Sequence, residues 1–519
     1  MGTENKLAPT PGGGGIVIRQ SMSQPITPWA VPAVGPSAKG QPRGLYTLFF
    51  TEMWERCSYY GMRALLVLFM VGTIQHGGLG MTDQVAASIY GLYTAAVYLA
   101  ALPGGWVGDR FLGAQRAVWW GGLIIAAGHF TLAVPGTETF YLGLILVALG
   151  TGLLKPNISA MVGELYPEGG ARRDAGFTIF YMGINLGAAL GPLMCSTLGE
   201  KWNWHYGFGA AGVGMVLGLV QFRLTARHLG EAGLRPGGGA GAGRGHWLLL
   251  TAFLGALGLV IALVMGGVLR VNPVALARAS TGVIVAVAVV YFAAALLFFG
   301  LDAREKKRVA VIGILFLASA VFWSGFEQAG SSLNLFAQRH TWRAWLGFEV
   351  PAGWFQTLSP VFIITLAPVM AALWLSLARR RRAPSLPAKF ALGLLLLGAG
   401  FLVMVWASRR AADGGKVWPT WLITTYLLHT FGELCLSPVG LSSVTKLAPR
   451  RLVGQMMGLW FLATSLGNLI AGLVAGGFQA NAAEQMSGRY LQIVFTTVGA
   501  GLVLLWLARP IKSLMEGVE

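Results

Sequence analysis

Acidic residues are scarce in this chain. There are 20 Asp and Glu against 38 Lys and Arg in 519 residues, and charged residues of both signs make up 11%. Ordinary soluble proteins carry about 25%, so a set of soluble domains is excluded. Cysteine is scarcer still. Cys57, Cys195 and Cys435 each lie inside an apolar stretch, without metal-ligand spacing and without the pattern of a disulfide scaffold. No H-E-x-x-H and no Cys/His cluster occurs, so a metalloenzyme has no ligand set. A phosphate loop is missing too: Gly415-Lys416 is followed by Val417, and no soluble nucleotide domain is present. These absences argue against an enzyme and against an ATP-driven pump, and no cofactor is implied. The first 43 residues lack an apolar core and are rich in Gly and Pro, which predicts a flexible tail rather than a signal peptide.

What is present is apolar surface. Hydrophobic residues make up 55%, Gly contributes 74 residues, and mean hydropathy is +0.63. A bilayer span takes about 20 mostly apolar residues. Fourteen such stretches are expected, near 44–75, 83–108, 115–134, 140–163, 174–198, 206–226, 247–269, 281–301, 308–338, 354–378, 389–408, 418–446, 453–478 and 490–512. The net charge of +18 does not point to nucleic acid, because the basic residues sit at the ends of apolar runs. With the N-terminus in the cytoplasm, the cytoplasmic tails and loops hold 26 Lys and Arg and the outer loops hold 9. This bias supports both the count and the orientation, with both termini cytoplasmic. A Gly-rich linker, Pro236 to Gly245, sets off the pair at 247–301 and leaves six spans on each side. The expected organisation is a tail (1–43), a six-helix bundle (44–226), a linker with an inserted two-helix hairpin (227–302), a second six-helix bundle (303–512) and a short tail (513–519). The hairpin holds no mid-span charge and is expected to pack outside the bundle.

Seven charges break the apolar pattern: Glu52, Glu55, Arg56, Arg63, Lys155, Glu327 and Glu433. Each costs roughly 2.5–3.5 kcal/mol at mid-membrane on insertion scales. One or two interhelical pairs would suffice to fix packing, so the full set points to a charged path or cavity. In the first span, spacings of three and four put Glu52, Glu55, Arg56, Tyr59, Tyr60 and Arg63 on one broad helical face. An Arg beside a carboxylate keeps it ionised. If another anion draws the Arg away, the carboxylate takes up a proton more readily, which couples proton binding to anion binding. The cations come from the first half of the chain, and Glu327 and Glu433 from the second. A cavity between the halves would have a basic wall and an acidic wall, a field that matches a zwitterion. A channel of like-charged rings fits this mixed layout poorly.

These residues carry a family resemblance. Glu52-xx-Glu55-Arg56-xx-Tyr59-Tyr60-Gly61 resembles the ExxERFxYYG signature of the proton-dependent oligopeptide transporter family, within the major facilitator superfamily. Gly105-xxx-Asp109-Arg110-xx-Gly113-xx-Arg116 resembles the superfamily's loop motif, which reads as a latch rather than a site. Phe180-Tyr181-xx-Ile184-Asn185-x-Gly187, Phe322-Trp323-xx-Phe326-Glu327-Gln328 and Gly432-Glu433-xxx-Ser437-Pro438-x-Gly440 resemble the family's FYxxINxG, FWxxFEQ and GELxLSPxG stretches. The resemblance implies an all-α membrane protein of the major facilitator fold with fourteen spans. It implies a symporter importing di- and tripeptides with protons by alternating access, monomeric, in a bacterial inner membrane.

Carried over by motif, Glu52, Glu55, Arg56 and Glu327 would couple protons. Arg56, Lys155 and Arg63 would meet the peptide carboxylate, and Glu433 and Asn185 its ammonium. Tyr59, Tyr60, Tyr98, Ser437 and Trp460 would line the pocket, although Asn185 also reads as an interhelical hydrogen bond and Tyr98 and Trp460 as packing. Arg63–Glu327 would pair toward the outer side and Lys155–Glu433 toward the inner side, in alternation. Three departures stand out. Cys57 replaces the signature's Phe, Ser359 stands where the family commonly has Asn, and no His lies near Gly91 in the second span, where animal relatives have one that titrates. The scattered histidines, His129 and His429 among them, read as structural. The alternative substrate is nitrate or another small anion, which would not need both Glu327 and Glu433.

Overall fold

The computed structural model describes residues 40–234, 236, 243–477 and 483–515. The tail over 1–39, most of the Gly-rich linker and residues 516–519 lie outside the described residues. Each of the fourteen expected spans is matched by a long helix. The first six are α1 (Arg43–Val71), α2 (Asp83–Val107), α3 (Ala114–Leu132), α4 (Thr137–Glu164), α5 (Gly170–Lys201) and α6 (Trp204–Thr225). The hairpin follows as α7 (Arg244–Met265) and α8 (Pro273–Phe298). The remainder are α9 (Ala303–Phe326), the short α10 (Ser332–His340), α11 (Leu358–Arg379), α12 (Leu386–Ala412), α13 (Thr420–Leu447), α14 (Val453–Ala475), α15 (Ala483–Trp506) and the short α16 (Ala508–Leu514). Among the described residues, 11 helical segments are long and apolar enough to cross a membrane by composition. α1 is not one of them, since Glu52, Glu55, Arg56 and Arg63 interrupt it. The end of the molecule where α1 begins is here the near face, and the end where α1 finishes the far face.

Local chemistry starts several helices. Thr82 caps α2, Asn272 caps α8 just before Pro273, and Asp302 with Glu305 forms a capping box at α9. Pro156 and Pro192 lie inside α4 and α5 without ending them, as bundled membrane helices allow.

Packing in this core depends on small residues. α1 and α5 run parallel in a constant register: Phe49 meets Gly183, Met53 meets Gly187, Cys57 meets Gly191, Gly61 meets Cys195 and Leu65 meets Gly199. A Cβ built on Gly187 would lie 2.1 Å from the Met53 carbonyl oxygen, and one on Gly191 2.2 Å from that of Cys57. Only glycine permits so close a backbone approach, the device by which membrane helices associate where lipid removes the hydrophobic drive. α1 packs on α5 and α6, α2 on α4, and α3 on α4 and α6; α12 packs on α13 and α15, and α9 on α14. α2 meets α14, and α5 meets α11 and the 3-10 turn Ala352–Thr357 that precedes it.

The hairpin lies against this assembly. α7 has no buried residue, and α8 buries only Ala277, Ile284, Ala288 and Ala295, one stripe at helical spacing. That stripe packs on α14, α2 and α9.

One expectation is corrected. The run at 308–338 is not a single helix: α9 ends at Phe326, and Glu327–Gly330 forms a 3-10 turn before α10. Gln328 turns its side-chain amide to the carbonyls of Ser324 and Ala471 of α14, and it accepts from the Ser332 hydroxyl at 2.7 Å. The Tyr90 hydroxyl sits where a Cβ on Gly330 would be. Beyond α10 the loop carries a two-stranded antiparallel ribbon, β1 (Ala344–Trp345) and β2 (Phe348–Glu349).

Candidate functional site

The charged face of α1 is out of water. Glu52, Glu55 and Arg56 are 2%, 0% and 3% exposed, so their charges must be answered by one another. Arg56 does this with one guanidinium. It grips Glu55 through Nε and through Nη2, which donates to Glu55 Oε1 at 2.7 Å. Its Nε also lies 3.3 Å from Glu52 Oε1, one turn earlier. The Thr151 hydroxyl of α4 donates to Glu55 Oε1 at 3.5 Å. Glu52 Oε2 is buried with no hydrogen-bond partner. One cation therefore serves two carboxylates, an unbalanced arrangement that a proton or a change of Arg56 partner would relieve.

Lys155, one turn after Thr151 on α4, points at Tyr98 of α2, with Nζ 4.5 Å from the ring centroid. This cation–π contact is its neighbour in this conformation. Lys155 forms no ion pair with Glu433 within 4.0 Å among the described residues. Glu433, on α13, is half-buried and its Oε2 has no hydrogen-bond partner. The pair implied by the resemblance is thus apart. Its counterpart is formed: Arg63 Nη1 lies 3.1 Å from Glu327 Oε2. The Arg63 guanidinium also sits over Tyr60 at 5.1 Å and Tyr90 at 5.9 Å.

The aromatic residues form a continuous set. Arg56 stands over the Tyr59 ring, which packs edge-on against Tyr60 and stacks on Tyr93 of α2. Asn185 of α5 is 5% exposed and donates Nδ2 to the Tyr181 carbonyl of its own helix at 3.0 Å. Ser359, at the start of α11, accepts from the Thr430 hydroxyl of α13 at 3.3 Å. Ser437 is half-buried on α13. Trp460 is 7% exposed; its indole edge lies against Gly440 and its ring meets Phe390 edge-on. It is wedged among α12, α13 and α14. His129 is fully buried, and His429 lies tilted against the rings of Phe401 and Phe326. Among the described residues no group of His, Cys, Asp and Glu could hold a metal ion.

Polar links between α1–α6 and α9–α15 run from mid-helix to the far face. The Ser465 hydroxyl donates to the Ala95 carbonyl at 3.2 Å, and Asn334 Nδ2 to that of Ala64 at 2.8 Å. Arg339 grips Asp83 with two bonds of 2.9 Å. Glu200 of α5 accepts from the backbone N–H groups of Ala352 and Gly353.

Sequence reasoning missed several of these residues. Tyr90 and Tyr93 were legible only as an i, i+3 aromatic pair on α2. Thr151 gave no signal beyond standing one turn before Lys155. The two donors from Gln328 to neighbouring carbonyls could not be read without α14.

The profile of the POT family matches residues 115–490. The peptide transporter YePEPT of Yersinia enterocolitica is 43% identical over 92% of this chain and 96% of its own. A di-/tripeptide transporter of Lactococcus lactis subsp. cremoris is 38% identical over 92% of this chain and 98% of its own. The crystal structure of a mutant peptide transporter POT in complex with alafosfalin matches with a TM-score of 0.85 at 41% identity, covering 95% of this chain and 99% of that one. With the buried charges on α1, the α9–α10 break at Glu327 and these likenesses along nearly its whole length, the chain is a multi-pass membrane protein that belongs to the POT family of transporters.

Proposed function

We propose that this protein imports di- and tripeptides together with protons across a bacterial inner membrane, acting as a monomer by alternating access, and that it is not an enzyme. In this reading the near face is cytoplasmic, α1–α6 and α9–α15 are two bundles that rock against each other, and α7–α8 is an inserted hairpin outside them. The observation that carries the reading is the unequal state of the two charged pairs. Arg63–Glu327 is joined at 3.1 Å, while Lys155 rests on Tyr98 and forms no ion pair with Glu433 within 4.0 Å among the described residues. A far side held shut and a near side released are what an inward-facing carrier requires.

The chemistry follows from the charges. A di- or tripeptide is a zwitterion with its carboxylate and its ammonium at opposite ends. Its carboxylate is matched by Arg56 and Lys155, its ammonium by Glu433 with Asn185 beside it, and Tyr59, Tyr60, Tyr98, Ser359, Ser437 and Trp460 line the pocket. When the carboxylate engages Arg56, Glu52 and Glu55 lose part of their shared cation, and a proton takes its place. Protons are the coupling ion, with Glu52, Glu55 and Glu327 as acceptors and Arg56 as the group that responds to substrate. Relatives named as peptide and di-/tripeptide transporters, and a structural neighbour crystallised with alafosfalin, support peptide as cargo. The test is competition in proteoliposomes under an inward proton gradient. Excess unlabelled dipeptide should abolish uptake of a labelled one, and nitrate should leave it unchanged. Nitrate uptake without dipeptide uptake would overturn the substrate.

A further inference from the structure

The far-face closure has a centre that none of the motifs contains. Glu200, in the last turn of α5, is 8% exposed at its side chain. Its two oxygens reach across to the segment before α11: Oε2 accepts from the Ala352 N–H at 2.7 Å and Oε1 from the Gly353 N–H at 2.9 Å. Arg343 Nη1 stands 3.8 Å from Oε2, and Nη2 of the same guanidinium pairs with Glu349 at 2.9 Å. Lys201, the next residue on α5, lies 3.5 Å from Glu349 and over the Phe348 ring. The Trp354 indole N–H donates to the Thr197 hydroxyl at 2.9 Å and the Leu193 carbonyl at 3.2 Å. A Cβ on Gly353 would fall 2.0 Å from the Ser196 hydroxyl and 2.8 Å from the Ser196 Cβ, so the Ser196 side chain packs directly against the bare glycine.

We propose that Glu200 is a positioning residue of the transport cycle, a clasp that closes the far side by capturing the backbone amides of Ala352 and Gly353. The carboxylate belongs to α5 and the amides belong to the segment leading into α11, so the bonds exist only while these elements are together. Charge-assisted bonds to two N–H groups are roughly twice as strong as neutral ones. On opening, all three groups pass to water, and the net advantage of the direct charge-assisted bonds over those to water favours the closed state. The clasp therefore weights the balance between closed and open far sides without touching substrate. It acts beside Arg63–Glu327 and independently of peptide chemistry, although its place in a cycle rests on the alternating-access reading above. Glutamine at position 200 would keep the shape, but its amide group would present a donor to a donor at one of the two N–H groups.

The test uses full-length protein in liposomes, with spin labels at Ile74→Cys and Trp418→Cys. These residues are 76% and 69% exposed and lie just past the far end of α1 and just before α13; the three native cysteines are buried. Pulsed electron–electron resonance reads the distance between labels. Glu200→Gln should add a longer-distance component, raising the far-open population by about tenfold, as should Gly353→Ala. Ser196→Gly added to Gly353→Ala should restore the short distance. A wild-type distance distribution in Glu200→Gln, in protein with unchanged helicity and a single elution peak, overturns the clasp. The same holds if Gly353→Ala shifts the distribution and Glu200→Gln does not. Because no substrate is present, a protein that failed to carry peptide would still give a decisive answer here.

Discussion

A single guanidinium shared by two buried carboxylates is the feature to which the proposed function assigns coupling. Arg56 lies between Glu55, which it grips twice, and Glu52, which it reaches with Nε alone. Removing the cation leaves two uncompensated buried charges, a loss of about 3–5 kcal/mol, so Arg56→Ala should unfold at markedly lower temperature. Glu52→Gln should keep the fold, since it removes the carboxylate that Arg56 holds more loosely. At the other end of the site, Glu433→Gln should weaken dipeptide binding by at least about 30-fold, the effect of truncating one partner of a buried charge pair. Titration calorimetry of the purified protein reads this directly, and unchanged affinity would remove Glu433 from the ammonium site. These residues were legible in the sequence because charges are so rare within apolar runs that each one stands out, and because spacings of three and four place them on one helical face. Their partners were less legible. Tyr98 is an ordinary aromatic on an apolar helix until Lys155 is seen to point at it. Glu200 reads as a residue at the end of a span and gains meaning only from amides more than 150 positions away.

Elements show the same division. Helix existence follows from apolar length, and each of the fourteen expected spans has its helix. The break after α9 was hidden, because Leu333, Leu335 and Phe336 carry apolar character beyond Glu327-Gln-Ala-Gly. What interrupts it is tertiary: Gln328 donates to the Ala471 carbonyl, and the Tyr90 hydroxyl occupies the space beside Gly330. The glycine register between α1 and α5 could be seen in the sequence as Gly183, Gly187, Gly191 and Gly199, but its partners could not. Gly191→Val should cost about 1–3 kcal/mol through overpacking, since a Cβ there falls 2.2 Å from the Cys57 carbonyl oxygen. A lowered melting temperature in detergent checks this, and the wild-type value would mean that the two helices separate without loss. The hairpin makes the opposite prediction. α7 buries nothing and α8 only one narrow stripe, so deleting 247–301 and joining the ends with a flexible linker should leave dipeptide affinity within about threefold of wild type, given that sites without shared contacts act nearly independently. Loss of binding in a well-folded deletion protein would place the hairpin in the site.

For the whole molecule, the distribution of contacts matters more than any one of them. Links from mid-helix to the far face tie the first six helices to the later ones through Ala95, Ala64, Asp83 and Glu200, while Lys155 and Glu433 stand apart. The asymmetry describes links concentrated on one side of the molecule, and in the proposed reading the buried charges between the halves would recognise a zwitterion and move a proton with it. In the proposed function a proton gradient drives peptide accumulation through the first-helix carboxylates. The most direct measurement is uptake of a labelled dipeptide into proteoliposomes under an inward proton gradient, with and without a protonophore, for the wild type and Glu52→Gln. The protonophore should abolish accumulation, and Glu52→Gln should lower it at least about tenfold. Accumulation indifferent to the protonophore, or undiminished in Glu52→Gln, would contradict this coupling.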